Sequence, residues 1–399
     1  MRIVYLSASA GLGGAERVLV DLLAELRVAE PAWELHLVCG ADGPLRAAAE
    51  EAGATVHLLP LPRALERFGD AGVGTAAAWG GALPRLAAAV PGAVAWGARL
   101  RRLLGRLRPE LVHSNGFKTH LLGAAVVPRG TPLVWHLHDY VSTRALMSLL
   151  MRRARRRCAA AVAVSHSVAD DARAVCGRGF PVHAVHNAVD LDRFHPRGPV
   201  LPLNERAGMP LPAADAVVVG LVATMGLWKG HDVFLRALAL LPPRLPLRAY
   251  VVGGRIYRTA GSEVDPEALR RQAAELGLAD RVGFTGFVED SAAAMRALDV
   301  VVHASTAPEP FGLVIAEAMA CGRPVVVSAA GGAAEIAGAG AVSVPPGDAE
   351  ALAAALLGLA RDPEHRARLG RAGRIRAERD FDRARFAAEV ARVYRGVAR

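Results

Sequence analysis

Short, almost wholly apolar runs recur along this chain, and stretches with helical periodicity separate most of them. Strands that are apolar on both faces are typical of parallel sheets covered by helices. The pattern therefore predicts an α/β protein with two doubly wound, Rossmann-like sheets. The predicted strands are residues 2–6, 34–38, 55–59, 111–114, 133–138, 160–164 and 182–186 in the first half, and 216–222, 248–252, 282–285, 300–304, 324–327 and 341–344 in the second.

The alternation lapses once, between His195 and Ala214, where the chain reads HPRGPVLPLNERAGMPLPAA. Repeated prolines without periodicity indicate a linker between domains. We therefore predict a first domain over residues 1–195, a linker over 196–214 and a second domain over 215–380. Doubly wound domains bind ligands outside the carboxyl ends of their strands, so a cleft between the two domains is the expected ligand site.

The charge of the chain restricts its partners. Forty-eight Lys and Arg residues against 38 Asp and Glu give a net charge of +10, which suits an anionic substrate, an acidic membrane surface or nucleic acid. Aromatic residues make up only 5%, and no zinc-finger or RNA-binding aromatic motif is present, so we expect no nucleic acid partner. The basic segments 98–108 and 151–157 favour peripheral contact with a membrane, or else are solvated helix faces.

The cysteines and the N-terminus indicate a cytoplasmic protein. Cys39, Cys158, Cys176 and Cys321 are scattered without metal-binding or disulfide spacing, as expected of buried thiols in a reducing compartment. The N-terminal run MRIVYLS is too short for a signal peptide and is predicted to be the first strand.

The most informative stretch is Ala307–Gly332, which reads APEPFGLVIAEAMACGRPVVVSAAGG. It predicts a loop, a helix over residues 312–321 and a buried strand. Glu309 and Glu317 lie eight positions apart, and the helix N-terminus between them offers unpaired N–H groups that suit phosphate. Paired carboxylates suit sugar hydroxyls or a developing positive charge. From the spacing alone, it is equally consistent that Glu309 is an ordinary loop acid and Glu317 an ordinary helix-surface acid, neither with a chemical role.

Three further motifs follow predicted strands. A glycine loop, Gly11-Leu-Gly-Gly-Ala-Glu16, favours close approach of a ligand to the backbone, although Glu16 departs from the dinucleotide-binding fingerprint. His136 and His138 share one face at a strand end, where a substrate contact and a structural role both fit. Lys229 precedes a helix and could pair with a phosphate.

Asp190 and Asp192 resemble a metal-binding pattern, but we interpret them as part of a hinge and expect no metal.

Taken together, these stretches resemble family 4 of the retaining glycosyltransferases, which have the GT-B fold. The resemblance rests on motifs that occur in the family's order over nearly the whole chain. They are GGAER (13–17), HLHD (136–139), VSHS (164–167), HNAVDLDRF (186–194), WKGHD (228–232), GFTGFVED (283–290), EPFGLVIAEAMACGRPVV (309–326) and the glycine pair 331–332.

The resemblance implies transfer of a sugar from a nucleotide-sugar donor to a glycan or lipid-linked acceptor, with retention, without a metal or other cofactor, by front-face attack. It implies three catalytic residues: Glu309 facing the sugar, Lys229 at the leaving pyrophosphate, and His138. The implied donor-binding residues are Glu317 at the ribose, Gly312, Leu313 and Val314 at the distal phosphate, Phe287 and Val288 at the base, and Gly226, Arg255 and Phe311. Gly13, Gly14 and Glu16 form the implied acceptor loop, and a terminal helix over 381–399 returns to the first domain.

One position departs from the family pattern. Thr224 stands where members often carry an arginine that binds the pyrophosphate, and Arg255 is a candidate to compensate. A nucleotide-sugar epimerase or phosphorylase of similar fold, or a nucleotide-sugar-binding protein without turnover, are the alternatives that the sequence leaves open.

Overall fold

The computed structural model describes residues 1–62, 65, 79–255 and 263–398, with the backbone alone for 79–89. The chain forms two compact units. Unit 1 comprises Met1–Ala188 together with Arg383–Arg399, and unit 2 comprises Val189–Asp382.

Unit 1 is built on a parallel sheet of seven strands in the order β3-β2-β1-β4-β5-β6-β7. Tyr5 pairs with Leu37 on one side and with His113 on the other, which places the first strand in the interior of the sheet. The strands are β1 (Arg2–Ser7), β2 (Glu34–Cys39), β3 (Thr55–Leu58), β4 (Leu111–Asn115), β5 (Leu133–Leu137), β6 (Ala160–Ala163) and β7 (Val182–Ala184).

The helices described for unit 1 follow the strands and present leucine and alanine to the sheet. They are α1 (Gly14–Ala29), α2 (Pro44–Glu51), α3 (Trp79–Leu107), α4 (Phe117–Val126), α5 (Ala145–Ala154), α6 (His166–Cys176) and α15 (Arg383–Val397). The last of these packs along α1, with Arg383 paired to Asp21 and Glu25. The buried Tyr394 hydroxyl lies 2.7 Å from Nδ1 of His113. The terminal helix is thus part of the core of unit 1.

Unit 2 contains a parallel sheet of six strands in the order β10-β9-β8-β11-β12-β13. These strands are β8 (Val217–Val222), β9 (Leu247–Val252), β10 (Val282–Gly286), β11 (Val300–His303), β12 (Val325–Ser328) and β13 (Ala341–Val344). The helices are α7 (Leu203–Arg206), α8 (His231–Ala239), α9 (Pro266–Glu275), α10 (Ser291–Arg296), α11 (Leu313–Ala320), α12 (Gly332–Ala337), α13 (Ala349–Arg361) and α14 (Pro363–Asp380).

The core of unit 2 explains why these segments are strands. Val219, Leu221, Val251 and Val302 are buried on the central strands, and Phe234 of α8 packs into the same cluster. Burial of large apolar side chains contributes about 1.5–3 kcal/mol each, so a strand that is apolar throughout is stable only between two covered faces.

All thirteen predicted strands form, with ends shifted by no more than two residues. The segment 196–214, interpreted as a linker, lies in unit 2 and contains α7, which packs on β10. Buried Arg296 holds the chain just before α7 by donating to the carbonyls of Arg193, His195 and Pro199. A proline-rich sequence without periodicity can therefore still be fixed to a domain by one buried guanidinium.

The predicted hinge at Asp190 adjoins the boundary between the units. Oδ1 of Asp190 accepts hydrogen bonds from the backbone N–H groups of Asp192 and Arg193, which forms a tight turn. All four cysteines are buried free thiols. In the described ranges, no helix combines the length and the apolar character needed to cross a membrane.

Candidate active site

The residues with the strongest sequence signal in unit 2 meet after the carboxyl ends of β8 and β11. Lys229 ends a short 3₁₀ turn, Leu227–Lys229, that leads from β8 into α8. The backbone N–H of Thr306 donates to the carbonyl of Trp228 at 2.7 Å, which ties this turn to the loop after β11. In the same loop, the carbonyl of Glu309 accepts from the N–H of Gly332 at 2.7 Å. Backbone bonds therefore fix both the lysine and the acid.

Three side chains surround one carboxylate oxygen of Glu309. Lys229 Nζ lies 2.5 Å from Oε1, and the Ser305 hydroxyl donates to the same atom at 2.6 Å. Nε2 of His303, at the end of β11, is 3.7 Å away. The Glu309 side chain is only 10% exposed and that of Lys229 is 22% exposed. The result is a largely buried ion pair with additional hydrogen-bonding support.

Burial by itself would raise the pKa of the Glu309 carboxyl, because a charged group is disfavoured away from water. The Lys229 ammonium and the nearby His303 imidazole, 3.7 Å away, outweigh this effect and hold the pKa of the Glu309 carboxyl well below its usual range. The ion pair with Lys229 therefore favours the carboxylate form of Glu309 near neutral pH.

The N-terminus of α11 lies three residues beyond Glu309. Gly312 precedes the helix at φ +93, a left-handed conformation that favours glycine. No side chain caps this terminus. The first N–H groups of the helix, from Leu313 and Val314, point out of its N-terminal end and suit an anion. Glu317 is partly buried in the second turn of α11.

Glycines allow the loops of this site to approach one another. A Cβ on Gly230 would lie 1.9 Å from the Ala304 carbonyl oxygen, and one on Gly332 would lie 2.1 Å from that of Pro310. A Cβ on Gly226 would lie 3.2 Å from the Trp228 ring, a tight contact that the ring could relieve only by shifting. The lysine turn and the acidic loop thus touch through their backbones.

The residues predicted to bind the base follow β10. The Phe287 side chain is exposed, Val288 is buried, and the Phe287 carbonyl accepts a hydrogen bond from Arg206. Phe311 is buried, with its ring 5.9 Å from that of Phe381 and nearly perpendicular to it, which indicates a packing role for this side chain. The contacts of Phe287, Val288 and Phe311 with a donor remain predictions.

Arg255 is already engaged by two acids. Its guanidinium lies 3.2 Å from Asp265 and 3.8 Å from Glu263. A phosphate would have to share or displace these carboxylates before Arg255 could replace the arginine that is missing at Thr224.

A second group of predicted residues lies in unit 1. Gly13 caps α1, Gly14 opens it, and Glu16 lies in its first turn. Burial raises the pKa of Glu16, although hydrogen bonds from Ser9 and from backbone N–H groups oppose the shift. His138 follows β5, and its Nε2 is 2.6 Å from Oδ1 of Asn115 at the end of β4. Asn115 in turn donates from Nδ2 to the carbonyl of Ala15, so it joins the histidine to the glycine loop.

Three residues of these sites escaped sequence reasoning: Ser305, His303 and Asn115. Each lies at the carboxyl end of a strand, which was the available signal, but nothing in the sequence indicated which side chain it would meet. In the part of the chain that the structure describes, no group of three or more His, Cys, Asp or Glu side chains is arranged to hold a metal ion.

Comparison with known proteins gives this geometry its context. The family described as "Glycosyltransferase Family 4" matches residues 12–193, and the family described as "Glycosyl transferases group 1" matches residues 210–376. The chain belongs to the family 4 glycosyltransferases. The two matches follow one another along the chain, as the predicted motifs do.

Individual relatives agree with this assignment. D-inositol 3-phosphate glycosyltransferase of Streptomyces avermitilis is 38% identical over 203 residues, which cover 49% of this chain and 43% of that protein. A second D-inositol 3-phosphate glycosyltransferase, from Catenulispora acidiphila, is 42% identical over 38% of this chain and 35% of its own length. The chain therefore spans less than half the length of these curated relatives.

A solved structure matches the whole chain. Alr3699/HepE of Anabaena, in complex with UDP, superimposes with a TM-score of 0.80 at 26% identity and covers 99% of this chain and 100% of its own. Its complex with UDP-glucose gives a TM-score of 0.78 at 27% identity. The predicted pair of Rossmann-like domains of the GT-B class is confirmed.

Proposed function

We propose that this protein is a retaining glycosyltransferase that moves a hexose from a nucleotide-sugar donor to a glycan or lipid-linked acceptor. The observation that carries the proposal is the buried Lys229–Glu309 pair at the strand ends of unit 2, next to the uncapped N-terminus of α11. That arrangement offers a cation and backbone N–H donors to a diphosphate, and a carboxylate to a sugar.

The chemistry of transfer matches these groups. Breaking the anomeric bond develops negative charge on the leaving diphosphate and positive charge on the sugar ring. Lys229 and the N–H groups of Leu313 and Val314 stabilise the first, and the Glu309 carboxylate stabilises the second. In the proposed front-face reaction, the leaving phosphate oxygen accepts the proton of the acceptor hydroxyl as the new glycosidic bond forms. No protein base is then required.

The choice of donor to test first rests on the structural neighbours. HepE was solved with UDP and with UDP-glucose, so a uridine-linked hexose is the first candidate for this chain. In the proposed binding mode, Glu317 contacts the ribose and the loop at Phe287 and Val288 contacts the base. Gly226 and Phe311 complete the donor pocket through backbone and packing.

The test is sugar transfer measured across a panel of nucleotide sugars. Lys229→Ala and Glu309→Gln should each lower kcat with the preferred donor by about 10²–10³, the usual cost of losing one electrostatic contact in the transition state. Asp232→Asn, an exposed acid of α8, is the control and should keep full activity. Full activity in both site variants would refute the assignment.

Product analysis separates the alternatives. An epimerase releases an altered nucleotide sugar without any acceptor, and a phosphorylase requires inorganic phosphate. A binding protein without turnover would bind UDP in a calorimeter but form no product with any acceptor extract. This outcome is worth testing because Thr224 stands where family members often have a pyrophosphate-binding arginine.

We also propose that transfer needs no metal, so activity should be the same in excess EDTA and in Mg²⁺.

We further propose peripheral contact with the inner face of the membrane, through unit 1. Three arginines are exposed here: Arg152 and Arg153 at the end of α5, and Arg156 in the 3₁₀ turn that follows it. Beside them, an apolar cavity of about 470 Å³ between α3, α4 and α5 is lined by side chains that include Leu121, Leu150 and the cation Lys118. An anionic lipid fits this combination, with its tail against the leucines and its phosphate at the arginines.

Vesicle co-sedimentation tests the membrane proposal. Each Arg near an anionic surface contributes about 1 kcal/mol, so replacing Arg152, Arg153 and Arg156 by Gln should weaken binding to phosphatidylglycerol vesicles roughly 100-fold. The control replaces three exposed arginines elsewhere with the same loss of charge: Arg27, Arg244 and Arg392. Equal loss in both variants would show that net charge alone acts, and would overturn the proposed contact.

A further inference from the structure

The Asn115 side chain lies between the glycine loop and His138. Asn115 ends β4, and His138 directly follows β5, the neighbouring strand. The Asn115 amide contacts two groups: Nδ2 lies 3.3 Å from the Ala15 carbonyl oxygen, and Oδ1 lies 2.6 Å from Nε2 of His138. The amide therefore bridges the glycine loop and the histidine.

The direction of both bonds follows from donor and acceptor chemistry. A carbonyl oxygen only accepts, so Ala15 must face the NH₂ of Asn115, and the amide oxygen must face His138. That oxygen also only accepts, so Nε2 of His138 must carry a proton. A neutral imidazole has one N–H, and the other ring nitrogen, Nδ1, is then an acceptor.

The surroundings keep this imidazole neutral. Burial lowers the pKa of His138 to about 3 because an imidazolium is poorly solvated there. The adjacent His136 ring, 4.0 Å away between centroids, is buried, as are His113 and His120 behind it. The carboxylate next in sequence, Asp139, pairs with Arg144 and accepts from the N–H of Tyr140.

We propose that Asn115 is a positioning residue that holds His138 in its Nε2–H form, so that Nδ1 accepts a hydrogen bond from a substrate hydroxyl. The inference rests on the proposed glycosyltransferase function and deepens it by naming the chemistry of the contact. His138 recognises a sugar hydroxyl through a neutral acceptor nitrogen, and it neither protonates the substrate nor binds a phosphate.

The tautomer can be measured directly in the intact protein. Long-range ¹H–¹⁵N spectra of histidine-labelled protein, assigned with a His138→Gln variant, should show the His138 proton on Nε2 from pH 6 to pH 8. In Asn115→Leu the amide acceptor is gone, so the ring should exchange between tautomers. Transfer should fall about 10- to 100-fold in kcat/KM, as large an effect as losing the partner that orients a metal-binding histidine. A proton on Nδ1 in the wild type overturns the proposal.

A charged variant gives a second readout that a merely structural role would not change. In Asn115→Asp, a carboxylate would face Nε2 and raise the pKa of His138, because an opposite charge stabilises imidazolium. Protonation then converts Nδ1 from acceptor to donor, so transfer should acquire an acidic limb and recover at higher pH. The control is Ser114→Ala, which removes the neighbouring hydrogen bond to His120 and should show no such limb.

The outcomes separate this inference from the function on which it rests. A wild-type protein that transfers sugar, together with an Asn115→Asp profile that matches the wild type, refutes the role of Asn115 alone. A wild-type protein that transfers no sugar from any nucleotide donor refutes the proposed function, while the NMR experiment still decides the tautomer.

Discussion

Removing the Lys229 ammonium should destabilise unit 2 more than any exposed ion pair could explain. Lys229→Met keeps most of the side-chain volume but leaves the Glu309 carboxylate, only 10% exposed, without its counter-ion. Breaking a fully buried pair costs about 3–5 kcal/mol. Lys229 is partly exposed, and Ser305 still donates to Oε1, so we expect a loss of about 2–3 kcal/mol.

A double-mutant cycle isolates the pair. Glu309→Gln should cost less, about 1–2 kcal/mol, because the freed ammonium can turn toward water. The double variant should lose less than the sum, with a coupling of about 1–2 kcal/mol. Because the chain has two units, the suitable measurement is the opening free energy of β11 and α11 from amide hydrogen exchange, which reports on this region alone. The same cycle on Asp232 and Arg236, 3.1 Å apart and half exposed on α8, should give no more than about 0.5 kcal/mol.

The pH dependence of the pair has a defined sign. The folded-state pKa of Glu309 is lowered, and an unfolded glutamate titrates near about 4.3. The stabilisation is therefore fully present above about pH 4.3 and is lost as the pH falls through the folded value. The Lys229 variant should become less pH-dependent below about pH 4.3. A coupling as small as that of the surface pair would refute this account of the site.

Three other outcomes can be checked more simply. Gly230→Ala would place a Cβ 1.9 Å from the Ala304 carbonyl oxygen, at φ +72. The control is Gly277→Ala, which has a similar φ of +70 but open space, and which should cost about 1–2 kcal/mol of stability. Thermal melts should show a much larger loss of stability for Gly230→Ala than for this control. Burial lowers the pKa of both His113 and His138 to about 3, so urea unfolding should show stability decreasing as the pH falls below about 6.5. These two histidines contribute up to about 2.7 kcal/mol per pH unit, and the buried His120 and His136, whose pKa values are also lowered, add to that slope. The exposed His183→Gln is the control that leaves the slope unchanged. If Arg255 replaces the pyrophosphate arginine missing at Thr224, calorimetry should show Arg255→Gln binding UDP about tenfold more weakly, and unchanged affinity would eliminate it as the replacement.

The fold was predictable because the central strands of both sheets are buried on both faces. A run such as Val300–His303 is recognisable from composition alone, since few soluble environments other than a covered parallel sheet accept four consecutive buried residues. The segment 196–214 was harder to interpret. Its attachment depends on Arg296, and a buried guanidinium that binds three distant carbonyls leaves no local pattern in the sequence.

The sequence predicted only those site residues that lie in recognisable motifs. Glu309 and Lys229 stood out because of their loops, and the structure brings them together across 80 positions of sequence. Ser305 and Asn115 could not be identified in advance, because their importance lies in which atom they contact. A hydroxyl or an amide at a strand end is common, and only the geometry distinguishes a side chain that orients a functional group from one that is merely solvated.

The ion pair also changes how the two groups relate to a donor. The sequence assigned them separate partners, the sugar for Glu309 and the diphosphate for Lys229, yet Nζ and Oε1 are 2.5 Å apart. Phosphate and carboxylate then compete for one ammonium, and the carboxylate also repels the phosphate. Glu309→Gln should therefore bind UDP more tightly, by about tenfold if the coupling is about 1.4 kcal/mol, while sugar transfer falls. Calorimetry with UDP measures this, and Glu317→Gln, which removes the proposed ribose contact, should weaken binding instead. If Glu309→Gln binds UDP no better than the wild type, the two groups do not compete, and Lys229 contacts the diphosphate without leaving the carboxylate.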